Sequence, residues 1–203
     1  MYAEKTIKDY FRELASINPV PGGGSASALE GALGAALISK VANFTIGKEK
    51  YKSVEQEIKN ILSKAEEARS ELEKLCSEDA IAYGKLSEAY KSPKTDLRES
   101  KIEEALKGAM EVPRNICKIT HKAAMLCGAI AEKGNLNLIT DVGCAAIMLE
   151  SAFKSALLNV EINLKYLKDK RLVNQVYNEL DPLKRELMSA SKNVIKKVEE
   201  SIK

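Results

Sequence analysis

Apolar residues recur along this chain every three or four positions, over segments much longer than strands use, and alternating runs are almost absent. The clearest stretch is Ile58, Ile61, Leu62, Ala65, Ala68, Leu72, Leu75 and Cys76, continuing through Tyr83, Leu86 and Tyr90. That spacing lays an apolar stripe along one face of an α-helix. No Asn-Gly or Asp-Gly hairpin turn separates alternating segments. Prolines and glycines divide the chain into six expected helices, over about residues 6–16, 25–44, 53–90, 96–132, 137–167 and 170–202. Ser25 is the expected N-cap of the second helix, and Asp96 and Asn137 open the fourth and fifth. Pro113 should kink the fourth, and Asp181-Pro182 should bend or break the last. Long helices joined by short connections predict an all-α fold, an antiparallel bundle forming one domain over residues 1–203. Helices of such length also favour association with a second copy of the chain.

Composition narrows the classes. At 203 residues the chain suits one core, and 45% hydrophobic against 30% charged residues argues against disorder. Lys and Arg number 32 against 29 Asp and Glu, and the net +3 is spread without a basic block. Nucleic-acid binding through phosphate neutralisation is therefore disfavoured. Cys76, Cys117, Cys127 and Cys144 form no Cys-x-x-Cys pair and read as reduced, mostly buried thiols. The apolar segment 26–41 contains Glu30 and Lys40, which suits a buried helix better than a membrane span. The first residues, Met1 to Lys5, lack a signal-peptide pattern, so the expected location is cytoplasmic, with no membrane partner.

Several features could carry chemistry. Pro19-Val20-Pro21-Gly22-Gly23-Gly24-Ser25 leads into a helix of small residues. Three glycines at a helix N-terminus expose backbone N–H groups that favour an anion, or else simply make a tight turn before closely packed helices. Asp79 falls on the apolar stripe between Cys76 and Tyr83. A carboxylate there must be paired, hydrogen-bonded or raised in pKa, and in the last case can transfer protons near neutral pH. Asn137 and Asp141 are spaced to share one helix face, and Asp141 can equally be a residue complementing the helix dipole. Asn159 lies eighteen positions beyond Asp141, about 27 Å along a straight helix, too far for one small site within one helix. Glu111 precedes the Pro113 kink. Cys117 and His121 share a face, but a zinc site needs two more ligands, and no metal site is expected.

The order of these motifs resembles the formiminotetrahydrofolate cyclodeaminase family. The resemblance rests on Pro21-Gly22-Gly23-Gly24-Ser25, Asp79-Ala80 with Tyr83, Glu111-Val112-Pro113, Asn137, Thr140-Asp141-Val142-Gly143, and Asn159-Val160-Glu161-Ile162-Asn163. It spans almost the whole chain and departs at Glu161, where relatives commonly carry arginine. It implies an all-α homodimer acting on a tetrahydrofolate derivative, with no cofactor beyond that substrate. In one family reaction N10 of 5-formiminotetrahydrofolate attacks the formimino carbon and ammonia leaves, giving 5,10-methenyltetrahydrofolate. In the other the methenyl compound is hydrolysed to 10-formyltetrahydrofolate. On this reading Asp79 or Asp141 is the acid/base. Tyr83, Asn137, Asn159 and Asn163 contact the ligand, and the loop Pro21 to Ser25 lines the pocket or holds a carboxylate of the folate tail.

Overall fold

The computed structural model describes residues 2–95 and 97–203 and contains six α-helices, with no strand among them. They are α1 (Ile7–Leu14), α2 (Gly23–Asn43), α3 (Glu55–Lys91), α4 (Arg98–Lys133), α5 (Ile139–Tyr166) and α6 (Lys170–Ser201). The expected start of α4 at Asp96 lies outside the described residues. Two other starts move for a common reason. A turn of 3-10 helix precedes α3 (Glu49–Val54) and α5 (Leu136–Leu138), so Ser53 and Asn137 stand outside the α-helices proper. Pro182 does not break α6, which runs through it without interruption, as α4 runs through Pro113. Each proline removes a single N–H, and the apolar faces on both sides of it, such as Val176 and Leu180 before Pro182 and Leu187 and Val194 after it, stay buried.

α2 is the centre of the bundle. Its small residues let three helices approach closely: a Cβ added at Gly31 would lie 2.8 Å from Thr120 of α4 and 3.2 Å from Leu72 of α3. At Gly34 the nearest atom is a Leu149 carbon of α5, 2.8 Å away. Contacts pair the start of α2 with late positions of α3 and α5 (Gly24 with Asp79, Gly23 with Asn159), so α2 runs antiparallel to both. Lys133 reaches Glu57 at 2.6 Å, which sets α4 antiparallel to α3. α6 lies alongside α4 in the same direction, through Arg114 with Glu179 and His121 with Glu186.

Residues 136–166 are apolar and long enough to cross a membrane by length and composition. In the fold α5 turns Val142, Leu149, Phe153, Leu157 and Val160 into the core. That part of its hydrophobic surface packs against α2, α4 and α6, while Ile147, Leu158 and Ile162 stay at least half exposed.

The helices differ in length, and that difference opens the molecule at one end. α2 has 21 residues, against 37 in α3 and 36 in α4. The stripe of α3 is buried from Ile58 to Cys76, with only Leu62 half-buried, where α2 covers it. Beyond Asp79 α2 has ended, and Tyr83 and Tyr90 of the same stripe are 44% and 45% exposed.

Candidate active site

The space left beyond the end of α2 is a cleft of about 340 Å³. The glycine loop closes one side through Pro19, Val20 and Gly22 to Gly24. α3 supplies Asp79, Tyr83, Leu86 and Tyr90, α4 supplies Leu106, Ala109 and Pro113, and α5 supplies Asn159, Ile162, Asn163 and Tyr166. A larger, more open groove of about 870 Å³ between α3 and α4 holds, of the residues marked by the sequence, only Val112.

The glycine loop does not bind its anion from outside. Helix α2 is capped by Gly22 rather than Ser25, so Ser25 sits in the first turn with its N–H unpaired inside the helix. That N–H donates to Asp79 Oδ2 at 3.0 Å. Asp79, from another helix, thus does for α2 what an N-cap side chain ordinarily does. Gly24 makes this possible, because a Cβ there would overlap Asp79 Oδ1 and lie 2.8 Å from Oδ2. The expected role of Ser25 in lining the pocket also changes. The residue is completely buried, with Oγ 3.2 Å from the Tyr10 hydroxyl and 3.1 Å from the Cys76 thiol.

Burial pushes the Asp79 carboxyl above the ordinary aspartate range, and the Ser25 N–H offsets part of that rise. No lysine or arginine lines the cleft. Asn159 and Asn163 each donate Nδ2 to a carbonyl of their own helix at 2.8 Å, Ser155 and Asn159 respectively. Each keeps its Oδ1 acceptor and the second Nδ2 hydrogen to offer a ligand. Pro113 opens the hydrogen-bond ladder of α4 by one bond, as its place in the sequence implies. Its missing N–H would have bonded the carbonyl of Ala109 four residues earlier, and both residues line the cleft. The wall is therefore rich in acceptors and aromatic faces, with one carboxyl group at the glycine end.

Other marked residues lie elsewhere. Asp141 is at the opposite end of α2, its Oδ2 2.8 Å from Lys40 Nζ in an ion pair whose angles do not complete a directed hydrogen bond. Asn137 is exposed in the 3-10 turn before α5, its N–H donating to Asn135 Oδ1 at 3.1 Å, so it shares no helical face with Asp141. Glu111 pairs with Arg114 at 2.7 Å, and Arg114 also holds Glu179. The Cys117 thiol meets the Phe153 carbonyl, while His121 Nε2 lies 2.9 Å from Glu186, so the two are not directed at a common point.

Residues 6–182 match the model of the Formiminotransferase-cyclodeaminase family. The chain belongs to that family. Among relatives in the formiminotransferase-cyclodeaminase family, a methenyltetrahydrofolate cyclohydrolase of Methylorubrum extorquens is 39% identical over 100% of both chains. A mouse formimidoyltransferase-cyclodeaminase is 28% identical over 97% of this chain, which spans 37% of that longer protein. The crystal structure of formiminotetrahydrofolate cyclodeaminase from Thermotoga maritima superposes with a TM-score of 0.94, at 32% identity and with full coverage of both chains. The family's glycine loop and the residues around Asp79 thus form one wall of one cleft. Glu161 is half-buried on α5 and lies off the cleft lining.

Proposed function

We propose that this chain is an enzyme of reduced-folate chemistry, acting on the one-carbon unit between N5 and N10 of a tetrahydrofolate. The observation that carries this reading is Asp79: a carboxyl group in the cleft, desolvated, without a cation and held by one N–H. A carboxyl group whose proton affinity is raised in this way is suited to act as a general acid or base. In the cyclodeaminase direction the N10–carbon bond forms as the N10 proton passes to the imino nitrogen, and the bond from that carbon to the resulting amino nitrogen then breaks. Neutral Asp79 delivers the proton with which that nitrogen leaves as ammonia. In the hydrolytic direction water adds to the methenyl carbon and the carboxylate takes up a proton from it. That proton is returned to N5 as the N5–carbon bond opens, and the hydroxyl proton is released as the formyl C=O of the 10-formyl compound forms. Asn159 and Asn163 accept hydrogen bonds from the pterin, and Tyr83 packs against it. The folate tail stays at the mouth, because no cationic side chain lines the interior and the N-terminus of α2 is already occupied by Asp79.

Hydrolysis is favoured by the 39% identity to a protein named as a cyclohydrolase, and ammonia release by the superposition on a cyclodeaminase. Incubation with 5-formiminotetrahydrofolate and with 5,10-methenyltetrahydrofolate, with absorbance and ammonia followed separately, tests the reading. Turnover of either supports it and the faster one names the reaction; turnover of neither removes it.

The proposal includes a homodimer in the cytoplasm. Leu33 on α2 and Ile147, Leu158 and Ile162 on the adjoining α5 are at least half exposed, an apolar surface that a second copy would cover. A sedimentation mass of twice the chain is the expected result.

A further inference from the structure

Behind Asp79 lies a cluster that the proposed chemistry does not use. Ser25 Oγ touches both the Tyr10 hydroxyl of α1 and the Cys76 thiol of α3, while the N–H of the same serine holds Asp79. Three helices therefore meet on one residue directly behind the carboxyl group. Tyr10 is the single buried residue of α1, whereas Ile7 and Phe11 of that helix are 73% and 58% exposed. A helix docked for apolar area would bury its isoleucine and phenylalanine first. This one buries a tyrosine whose hydroxyl finds a partner beneath the cleft. The segment before it reinforces the arrangement: the Tyr2 ring packs edge-on against Tyr10 at 5.7 Å, and the Tyr2 N–H donates to Ser77 Oγ at 2.8 Å.

Burial pushes the Tyr10 hydroxyl up to about 12 and raises the Cys76 thiol, so both remain uncharged and act through hydrogen bonds. Besides Asp79, the cleft and the cluster bring together the phenols of Tyr2, Tyr10, Tyr83, Tyr90 and Tyr166 and the thiol of Cys76. At their outer edge Lys5 lies over the Tyr2 ring at 5.0 Å, paired with Glu13. None of α2's first turn, the α4 wall or the two asparagines of α5 brings a charge to the carboxyl.

We propose that Tyr10 and Cys76 are positioning residues: they clamp the Ser25 hydroxyl and thereby hold the Ser25 N–H on the Asp79 carboxyl group. The inference rests on Asp79 as the proton-transfer group. The clamp ties the peripheral helix α1 to the reacting end of the bundle, and it adds Tyr10, a residue outside the cleft, to those that set the rate.

The test uses the full chain with Tyr10→Phe and Ser25→Ala. Each loosens the clamp, so the N–H bond that favours the ionised carboxyl weakens and the Asp79 titration moves to higher pH. NMR titration of isotope-labelled Asp79 reads this directly, without turnover. In steady-state assays kcat falls roughly tenfold while KM stays within about twofold. A merely structural role for Tyr10 would lower the melting temperature and leave both the titration and kcat at their parent values. An unmoved Asp79 titration in the variants that fold overturns the clamp. Asp79→Asn separates the two levels: if it keeps full activity, the functional reading falls, while the titration still decides whether Tyr10 and Ser25 hold the carboxyl group.

Discussion

Helix α2 meets a carboxylate near each end, and the two have opposite fates. At its start Asp79 receives a single N–H and, among the described residues, has no cation; toward its end Asp141 sits 2.8 Å from Lys40. Gly24 and Lys40 are sixteen positions apart, about 24 Å along the helix. Asp141 also lies in the first turn of α5, where the helix dipole favours its charge. Both aspartates are partly shielded from solvent, so burial alone does not distinguish them. A counter-charge does. Asp141 ties two helices together, whereas Asp79 holds its proton more tightly than an ordinary aspartate, as the proposed acid/base role requires.

The largest expected effect that could break this comparison comes from Asp79→Asn. Turnover of the folate substrate should fall by at least about a hundredfold, the usual contribution of a general acid or base. The same change should raise the melting temperature near neutral pH. The folded-state pKa of Asp79 lies above the unfolded value, so the folded protein holds this proton more tightly. That contribution is fully present below the unfolded value and lost as pH rises through the folded one. The gain in the asparagine variant should therefore shrink as the pH falls toward the ordinary aspartate range. Melting curves across pH check it, and a destabilised variant at neutral pH would contradict the assignment.

Gly24→Ala comes next. The added methyl overlaps the carboxyl group and must displace it from Ser25 N–H. A loss of about 1–3 kcal/mol in denaturant unfolding is expected from overpacking, together with a marked drop in kcat. Asp141→Asn should have the smallest effect. Its partner Lys40 is 47% exposed, so the pair contributes no more than about 1 kcal/mol and turnover should hold. A large loss of kcat in that variant would return Asp141 to the reacting centre and dissolve the contrast.

Much of this was legible from residue order. The helix count, the antiparallel arrangement and the register of the glycine loop with Asp79 follow from periodicity, punctuation and motif order. What periodicity cannot show is what covers an apolar face. The stripe of α3 reads as one seam from Ile58 to Tyr90, yet its last third is the wall of a cleft because α2 stops short. Ser25 reads as an N-cap from local preference alone, and a carboxylate fifty-four positions away takes that task instead. Pro182 reads as a break, and burial on both sides of it carries α6 through. Tyr10 gives no signal in sequence, since a buried hydroxyl is recognised only by its partner.

The shortfall of α2 makes this site a vacancy in a stack of rods rather than a loop-built basket. Its depth is counted in helical turns: one turn added before Gly23 would advance the glycine wall by about 5.4 Å and fill much of the chamber, and one turn removed would deepen it equally. In such a scaffold the size of the guest is set by where a single helix begins, so insertions and deletions ahead of α2 act as a coarse ruler for substrate length, while the flanking rods keep their packing.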